Sequence, residues 1–433
     1  MAAFDNINIL SKNAEMRDKL MAVINGKPII AQALVETSPH SNTLTHADII
    51  ITHVEVNEKH GVGVLTRKIF ANSPNIISIR SQNHFGGVQE FGEIDFCIAH
   101  TEVCSRADVK VNIARALNGS SVGRIICIPY YADDVLSALA VKELFDVPMC
   151  TYIMDDQNVF SSGIPDDLMK ELLSKSKLRL AISTELRQEY EMKYNLKFWL
   201  LPPIVSHELI QTEARLPDQK SLGAATGVII GNIWGQRWLE LLRRTLSGSG
   251  VQIDWYCNSG ARWLTSHESE LANDGLYAHG ALPEETLVPL MRSRYAFAVL
   301  PSGTLDETDD RRAIAQLSLP SRVPFILATS NIPIVVLGHS ETAAARFIER
   351  FQIGAVAEYN PKSFQCAVAY VTSPEVNLAM RRRAAAIAAN FSVRGIDEWI
   401  WRSLALGEAC DSRFEDMLRP MMSSDVMVSA SNS

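Results

Sequence analysis

Short apolar segments alternate with helical segments in two separate series, and this repetition constrains the fold more than any other feature. In the first series, the apolar segments are 47–56, 75–79, 94–99, 124–128, 147–154, 179–183 and 198–201. In the second series, they are 228–230, 251–256, 276–278, 295–300, 334–337 and 355–357. Near-continuous apolar strands separated by helices are typical of parallel sheets that helices cover on both faces. The sequence therefore predicts an α/β protein with two parallel sheets.

A polar segment between the two series indicates the domain organisation. Residues 203–226 are polar and lead into a Gly- and Ala-rich stretch, as linkers between domains commonly do. We expect two tandem Rossmann-like domains that face each other across a cleft. The expected boundaries are 1–205 for the first domain, 206–226 for the linker, 227–390 for the second domain, 391–420 for C-terminal helices that are candidates to cross back onto the first domain, and 421–433 for a Ser-rich, disordered tail.

Composition and charge exclude several classes of function. A net charge of −8 argues against non-specific nucleic-acid binding, so no nucleic-acid partner is expected. The sequence has no apolar run long enough to span a bilayer and no N-terminal signal-peptide pattern. The seven cysteines include no CxxC pair and lie mostly in apolar runs, as in a reduced protein. The expected location is the cytoplasm.

The stretch 319–336 combines a Ser-rich turn, a short apolar helix and a buried strand. Free N–H groups and the positive dipole end at the start of such a helix can bind a phosphate. In this position of a late α/β domain, the stretch resembles the donor-binding segment of GT-B glycosyltransferases, specifically the retaining enzymes related to bacterial polysaccharide and glycogen synthases. The alternative is an ordinary strand–helix–strand unit.

The segment 276–292 carries the strongest resemblance to the same family. It contains a strand, a glycine, a short connector and a helix that begins Pro-Glu-Glu. In the family this segment lies against the nucleotide base, which implies contacts from His279, Gly280 and Ala281. The resemblance extends from about residue 48 to about residue 405. It rests on the order and placement of the segments along the chain rather than on a family-specific sequence motif.

The loop after strand 228–230 resembles the family's first donor loop, in which glycine backbone and a basic residue contact the diphosphate. Its candidates for donor binding are Gly231, Asn232 and Trp234. Arg237 is a catalytic candidate, because a guanidinium binds phosphate oxygens in a bidentate manner. The alternative is a surface arginine on the helix. Asn258, after the next strand, is a further donor-side candidate.

The approach to stretch 319–336 departs from the family pattern. Many retaining members carry two glutamates here, seven residues apart, whereas this chain carries none at the matching positions. It is closer to the Ser-Lys-x-Pro variant of some polysaccharide transferases, with Arg322 in the lysine position. The resemblance implies diphosphate or ribose contacts from Ser321 and Arg322, and it adds Ser302 and Ser318 as donor-side candidates.

Two loops of the first domain are candidates because ligands of open α/β sheets bind at the carboxyl ends of strands. Gly61 and Gly63 allow the backbone to approach a ligand at a helix start, and their loop resembles the GT-B loop that contacts the donor phosphate from the acceptor side, which makes both donor-binding candidates. Asp155 and Asp156 end a strand, and three interpretations stay open. They cap a helix, they bind a metal, or one of them contacts the acceptor or the reacting sugar. Adjacent residues on a strand point to opposite faces, which argues against the metal.

The resemblance implies a metal-independent glycosyltransferase that moves a sugar, of the hexosyl class, from a nucleotide-sugar donor to a glycan or other hydroxyl acceptor with retention, as in polysaccharide biosynthesis. No cofactor and no metal ion are expected. Two alternatives stay open, a catalytically inactive GT-B subunit that binds a nucleotide or partner, and a nucleotide-sugar epimerase. Arg381, Arg382 and Arg383 form either a solvated helix face or a contact with an anionic membrane surface.

Overall fold

The computed structural model describes residues 36–37, 43–100, 104–216, 226–257 and 268–418, which form two β-sheets with flanking helices. Asn258 and the predicted tail 421–433 lie outside the described residues. The predicted fold class is confirmed, because both sheets belong to tandem α/β units.

The first sheet has eight strands in the order β1-β4-β3-β2-β5-β6-β7-β8. They are β1 (Glu36–Thr37), β2 (Ala47–Thr52), β3 (Ile76–Arg80), β4 (Ile94–Cys97), β5 (Val122–Cys127), β6 (Met149–Ile153), β7 (Leu178–Ala181) and β8 (Trp199–Leu200). Neighbouring strands are parallel except at the edge, where β1 is antiparallel to β4. Every residue of β2, β3 and β6 is buried, as expected for strands covered on both faces.

The second sheet has six strands in the order β11-β10-β9-β12-β13-β14. They are β9 (Thr226–Ile230), β10 (Gln252–Cys257), β11 (Leu276–Gly280), β12 (Ala298–Pro301), β13 (Ile334–Leu337) and β14 (Gly354–Ala357). All neighbouring pairs are parallel. In both sheets the strand order reverses beside the first long strand, between β2 and β5 and between β9 and β12.

The helices cover both faces of the sheets. In the first unit they are α1 (Gly61–Ile69), α2 (Arg106–Ala116), α3 (Ala132–Phe145), α4 (Asp166–Lys175) and α5 (Thr184–Tyr194). In the second unit they are α6 (Gln236–Ser249), α7 (Glu268–Asn273), α8 (Glu284–Arg294), α9 (Arg312–Leu317), α10 (Arg322–Ser330), α11 (Ala343–Phe351), α12 (Pro361–Thr372) and α13 (Pro374–Ala388). The chain ends with α14 (Ile396–Leu406) and α15 (Arg413–Met417).

The sequence pattern does not predict α2, α4 or the antiparallel strand β1. Helix α2 buries only Val109, Asn112 and Ile113, so its apolar face is too narrow to stand out in the sequence. Strand β1 has two residues and depends on pairing with β4, which lies about 60 residues later in the chain.

The linker and the C-terminal segment both run between the two units and lie next to each other. In the linker, the backbone N–H of Gln211 donates to Ala328 O over 2.8 Å, and Arg292 Nη2 donates to Leu209 O over 2.7 Å. The C-terminal segment runs beside the linker, since Val205 N donates to Phe391 O and Val393 N donates to Val205 O.

Helix α14 then packs against the first unit. The guanidinium of Arg124, a residue of β5, lies 3.7 Å from the ring centre of Trp401. Lys177 Nζ donates to Ala405 O over 2.6 Å. The contacts place the last helices on the unit in which the chain began.

Arg381 corrects one expectation. Its side chain is 1% exposed and donates to Asn377 Oδ1, Ser330 O and Tyr295 O. A buried guanidinium satisfied by protein oxygens belongs to neither a solvated face nor a membrane contact, so the interpretation of three exposed arginines is wrong for this residue. In the described part of the chain, no helix is both long and apolar enough to cross a membrane.

Candidate active-site cleft

The carboxyl ends of the two sheets face each other, and the strand order reverses at the centre of each edge. Ligands of open α/β sheets bind at this position. A Cβ atom built on Gly61 of the first unit would lie 3.5 Å from Ser321 Oγ of the second. The Ser183 hydroxyl, after β7, donates to Leu317 O across the same interface. The two edges therefore form one cleft.

The cleft holds about 900 Å³ of empty space, including its open mouth. Both units contribute to its walls. The lining residues are Glu58, Gly61, Val64, Leu65, Lys68, Ile204, Ile230, Gly231, Tyr256, Ala281, Leu282, Glu284, Leu287, Ser321, Arg322 and Phe325. Of the residues predicted from the sequence, the structure brings Gly61, Gly231, Ala281, Ser321 and Arg322 together here.

Arg322, the first residue of α10, provides a cation on the second-unit wall. Its Nη1 donates to Asn232 O over 2.7 Å and to Ile230 O over 3.2 Å, while its buried Nη2 has no hydrogen-bond partner among the described residues. No carboxylate of the described residues pairs with it. Burial lowers the pKa of Arg322 to about 10. A buried cation without a counter-ion is unfavourable, and a bound anion relieves that cost.

The loop after β9 presents its backbone to the cleft. Gly231 has φ 73°, a left-handed conformation that favours glycine. Arg322 holds this loop through the carbonyl groups on both sides of Gly231. Trp234, further along the loop, is 47% exposed and does not line the cleft.

Arg237 lies on α6 and is engaged by the loop after β12. Its Nη2 donates to both carboxylate oxygens of Asp306, over 2.9 and 3.2 Å, and its Nη1 donates to Thr308. Because a carboxylate already neutralises the guanidinium, Arg237 would have to exchange this partner to bind a diphosphate. The role predicted for it stays a prediction.

His279 and Gly280 end β11, and Ala281 follows them. The buried carboxylate of Asp254, which the sequence pattern does not mark, holds His279 in place. His279 Nε2 lies 2.8 Å from Asp254 Oδ1. Asp254 also accepts from Tyr295 and Arg294, over 2.7 and 2.9 Å. The His279 ring stacks on Tyr256, with centres 4.8 Å apart. Asp254 lies within a strand, so the search for residues after strand ends missed it.

Gly61 and Gly63 have different surroundings. Gly61 is exposed and lines the cleft. Gly63 is buried, and a Cβ atom there would lie 2.4 Å from Asn57 O. His60 caps α1, since its Nδ1 accepts from Gly63 N and its Nε2 donates to Glu55 O. Gly63 therefore permits close packing of this turn, and the donor contact predicted for it has no support in the geometry.

Asp155, after β6, lies at the carboxyl-end edge of the first sheet, which faces the second unit, but it is not among the residues that line the cavity of the cleft. It accepts a 2.5 Å hydrogen bond from the Tyr130 hydroxyl, after β5. Burial raises the pKa of Asp155, while the hydrogen bond from Tyr130 and the nearby Ser318 hydroxyl of the second unit oppose that rise. The Ser318 hydroxyl itself has no hydrogen-bond partner among the described residues, so Asp155 and Ser318 are two polar groups with capacity for a sugar hydroxyl.

Asp156 points elsewhere, as expected for adjacent residues at a strand end. Its carboxylate accepts backbone N–H groups of Asn158, Val159, Phe160 and Ser161 over 2.7–3.1 Å. A carboxylate occupied by four backbone donors shapes the loop, so the geometry favours a structural role for Asp156 over contact with a reacting sugar.

The three serines predicted as donor contacts are spread along the second-unit edge. Ser302 is 4% exposed and its backbone bonds to the Tyr359 hydroxyl, and Ser318 is also 4% exposed and approaches Asp155. Only Ser321 is exposed and lines the cleft, at the start of α10.

An ion pair that the sequence analysis missed connects the two units across the cleft. Lys68 Nζ, on α1, lies 2.6 Å from Glu284 Oε1, in the first turn of α8. Lys68 also lies 5.5 Å from the ring centre of Phe325. The side chains are 16% and 33% exposed, so the pair is partly shielded from water. Among the residues described, no group of three His, Cys, Asp or Glu side chains is arranged to hold a metal ion.

No protein-family model matches the chain, and no curated protein matches its sequence. Solved structures match over most of its length. HepE of Anabaena in complex with UDP-glucose has a TM-score of 0.59 at 10% identity, covering 83% of this chain and 100% of that one. A UDP-forming α,α-trehalose-phosphate synthase from Burkholderia xenovorans, in complex with glucose-6-phosphate, has a TM-score of 0.56 at 11% identity, with coverage of 84% and 100%.

A UDP-N-acetylglucosamine 2-epimerase also matches, with a TM-score of 0.50, 10% identity and coverage of 84% and 96%. At these identities the likeness shows the fold alone. The chain has the GT-B fold, with two parallel-sheet units that face a common cleft.

Proposed function

We propose that this protein is a glycosyltransferase that uses a nucleotide-sugar donor in the cleft between its two units. The observation that carries the proposal is Arg322, a partly buried cation without a carboxylate partner among the described residues, beside the exposed backbone of Gly231. Of the proteins with this fold, HepE was solved in complex with UDP-glucose and the trehalose-phosphate synthase is UDP-forming, which supports a nucleotide sugar as the ligand.

Arg322 would act on the leaving diphosphate. Negative charge builds up on that group as the glycosidic bond to the nucleotide breaks, and a fixed cation stabilises it most where water is excluded. The dipole of α10, which spans nine residues, adds a partial positive charge at its start, at the same place. In the proposal these groups meet the charge in place of a metal ion.

The first unit would present the acceptor. Asp155 lies at the facing edge of that unit and would accept a hydrogen bond from a hydroxyl of the acceptor or of the transferred sugar. Closure of the two units would exclude water, whose attack on the donor is the competing reaction. A glycan or other hydroxyl acceptor, a hexosyl donor, retention of configuration, a role in polysaccharide synthesis and a cytoplasmic location remain part of the proposal by resemblance.

A thermal-shift measurement with UDP, GDP, ADP, CMP and dTDP, and with their sugars, tests the donor site. We expect one nucleotide to raise the melting temperature, because a ligand at 100-fold over its Kd stabilises a protein by about 2.7 kcal/mol. Arg322→Ala should weaken the affinity for that nucleotide about tenfold to hundredfold, since hydrogen bonds to charged groups contribute about 1.5–3 kcal/mol.

Arg312→Ala, which removes an exposed arginine from α9, is the matched control. Arg322→Ala with wild-type nucleotide affinity, or a folded wild-type protein that no nucleotide stabilises, contradicts the proposal. Binding without turnover of any donor would identify an inactive nucleotide-binding subunit.

An epimerase is the second candidate, favoured by the carboxylate of Asp155 at the edge of the first unit and by the fold of the 2-epimerase match. Incubation of the nucleotide sugar that binds, without an acceptor, separates the two. A new isomer of the intact nucleotide sugar indicates an epimerase. Release of the nucleoside diphosphate only when an acceptor is added indicates a transferase.

A further inference from the structure

Tyr130 lies at the point where the strand order of the first sheet reverses, because it follows β5 and faces the residues after β2 and β6. Its hydroxyl donates to Asp155 Oδ2 over 2.5 Å. Its ring stacks on His53, which follows β2, with centres 4.1 Å apart and an interplanar angle of 30°. One tyrosine thus connects the ends of three adjacent strands.

The surroundings of Tyr130 leave its ring little freedom. Asp134, at the start of α3, accepts the backbone N–H groups of Tyr130 and Tyr131, each over 2.9 Å. Behind the ring, His53 O accepts from the Ser81 hydroxyl over 3.2 Å, which ties His53 to the end of β3. The position of the phenol oxygen is therefore set by packing and by hydrogen bonds that do not involve Asp155.

A fixed donor beside a carboxylate sets where that carboxylate points. An ionised carboxylate accepts about four hydrogen bonds, so the bond from Tyr130 and the approach of Ser318 leave capacity for a hydroxyl group of a ligand. Ser318 precedes Arg322 on the same segment of the second unit. Asp155 thus lies between the first sheet and the segment that carries the proposed diphosphate contact.

We propose that Tyr130 is a positioning residue, which holds Asp155 at the edge of the first unit in the orientation that receives a hydroxyl of a sugar bound between the units. The inference rests on the proposed function for the identity of that ligand. In this role Tyr130 does not touch the sugar. It keeps Asp155 ionised and oriented despite the partial removal of water.

Titration of Asp155 provides a test that needs no substrate. The charged or titratable groups around it are Tyr130 after β5, Tyr152 and Asp156 of its own segment, and His53 and Asp134 beyond Tyr130. Burial raises the pKa of Asp155 and the Tyr130 hydroxyl lowers it. Removing that hydroxyl in Tyr130→Phe should therefore raise the pKa, by about one unit for one charge-assisted hydrogen bond.

The measurement is the ¹³C signal of the Asp155 carboxyl group in full-length protein labelled at aspartate, assigned by its loss in Asp155→Asn. Tyr131→Phe is the control, because that neighbouring ring contacts His53 at 5.9 Å without bonding to Asp155. We expect the Asp155 titration to move in Tyr130→Phe and to stay unchanged in Tyr131→Phe.

The second readout uses the nucleotide sugar that the thermal-shift experiment identifies. Tyr130→Phe should bind it with wild-type affinity, while the acidic limb of kcat/KM moves to higher pH by the same amount as the Asp155 titration. An unchanged titration overturns the inference, and so does a shifted titration with an unchanged acidic limb. A wild-type protein that binds no nucleotide overturns the proposed function instead, so the two failures are distinct.

Discussion

Arg322 and Asp155 belong to the facing edges of the two units, and burial acts on their charges in the same way. It lowers the pKa of Arg322 to about 10 and raises the pKa of Asp155, so each ionised form is less favourable than in water. A ligand that places an anion beside Arg322 and a hydroxyl group beside Asp155 replaces the water that each charge lost on burial. This complementarity, rather than any motif, makes the cleft a candidate for a sugar with a phosphate leaving group.

We expect buried His100 to make the free energy of unfolding depend on pH. His100 is 9% exposed, its Nε2 lies 2.9 Å from the Ser137 hydroxyl, and burial lowers its pKa from 6.5 to about 4. Between these values the unfolded chain binds a proton that the folded chain does not, so the free energy of unfolding falls as the pH falls from 6.5 to 4. At pH 5 the loss amounts to about 2 kcal/mol.

His100→Gln removes that proton-binding group. Urea unfolding at pH 7 and pH 5 should therefore show a smaller loss of stability in the variant than in the wild type, by about 2 kcal/mol. His339→Gln, at an exposed histidine, is the control. Parallel losses in the wild type and His100→Gln between the two pH values would show that His100 does not contribute.

Helices α1 and α8 meet across the cleft through the ion pair of Lys68 and Glu284. A partly shielded ion pair contributes about 1 kcal/mol, which corresponds to roughly a fivefold change in the ratio of closed to open forms. Lys68→Met or Glu284→Gln should therefore weaken nucleotide binding by about fivefold, because the closed form holds the ligand in the proposed account.

The double variant should be no weaker than either single one, since both remove the same pair. Glu285→Gln is the matched control, because Glu285 lies in the same helical turn and has no ion pair among the described residues. Isothermal titration calorimetry measures the five affinities, those of the wild type, the two single variants, the double variant and Glu285→Gln. Additive losses in the double variant, or an equal loss in Glu285→Gln, would contradict a pair that stabilises closure.

The strands and most helices were predictable because their signal is local. Six consecutive buried residues in β2 and the polar segment before β9 are visible in the sequence without any knowledge of contacts. The same local rule, residues after strand ends, led to Gly61, Gly231 and Asp155. The rule applies equally to Tyr130, which follows β5. A tyrosine at that position does not indicate a function, however, unless its hydrogen-bond partner Asp155 is known.

The partners were not predictable because they are distant in the chain. Tyr130 and Asp155 are 25 residues apart, and Lys68 and Glu284 are 216 residues apart. Neither the distance between them nor the choice of partner follows from periodicity. The same limit explains Arg237, whose type suits a phosphate but whose contact with Asp306 depends on how the loop after β12 folds.

The proposed function requires that a nucleotide sugar binds between the two units and contacts both. The chain has the fold of HepE, which was solved in complex with UDP-glucose, and its cleft is lined by residues of both units. A ligand that bound one unit alone would leave the other side of the cleft without a role.

The most direct measurement is hydrogen–deuterium exchange of the full chain with and without the nucleotide sugar that thermal shift identifies. We predict slower exchange in the loop 231–235 and in α10 of the second unit, together with slower exchange in the loop 57–63 of the first. Protection confined to one unit, or located away from the cleft, would contradict the claim that the two units jointly form a nucleotide-sugar site.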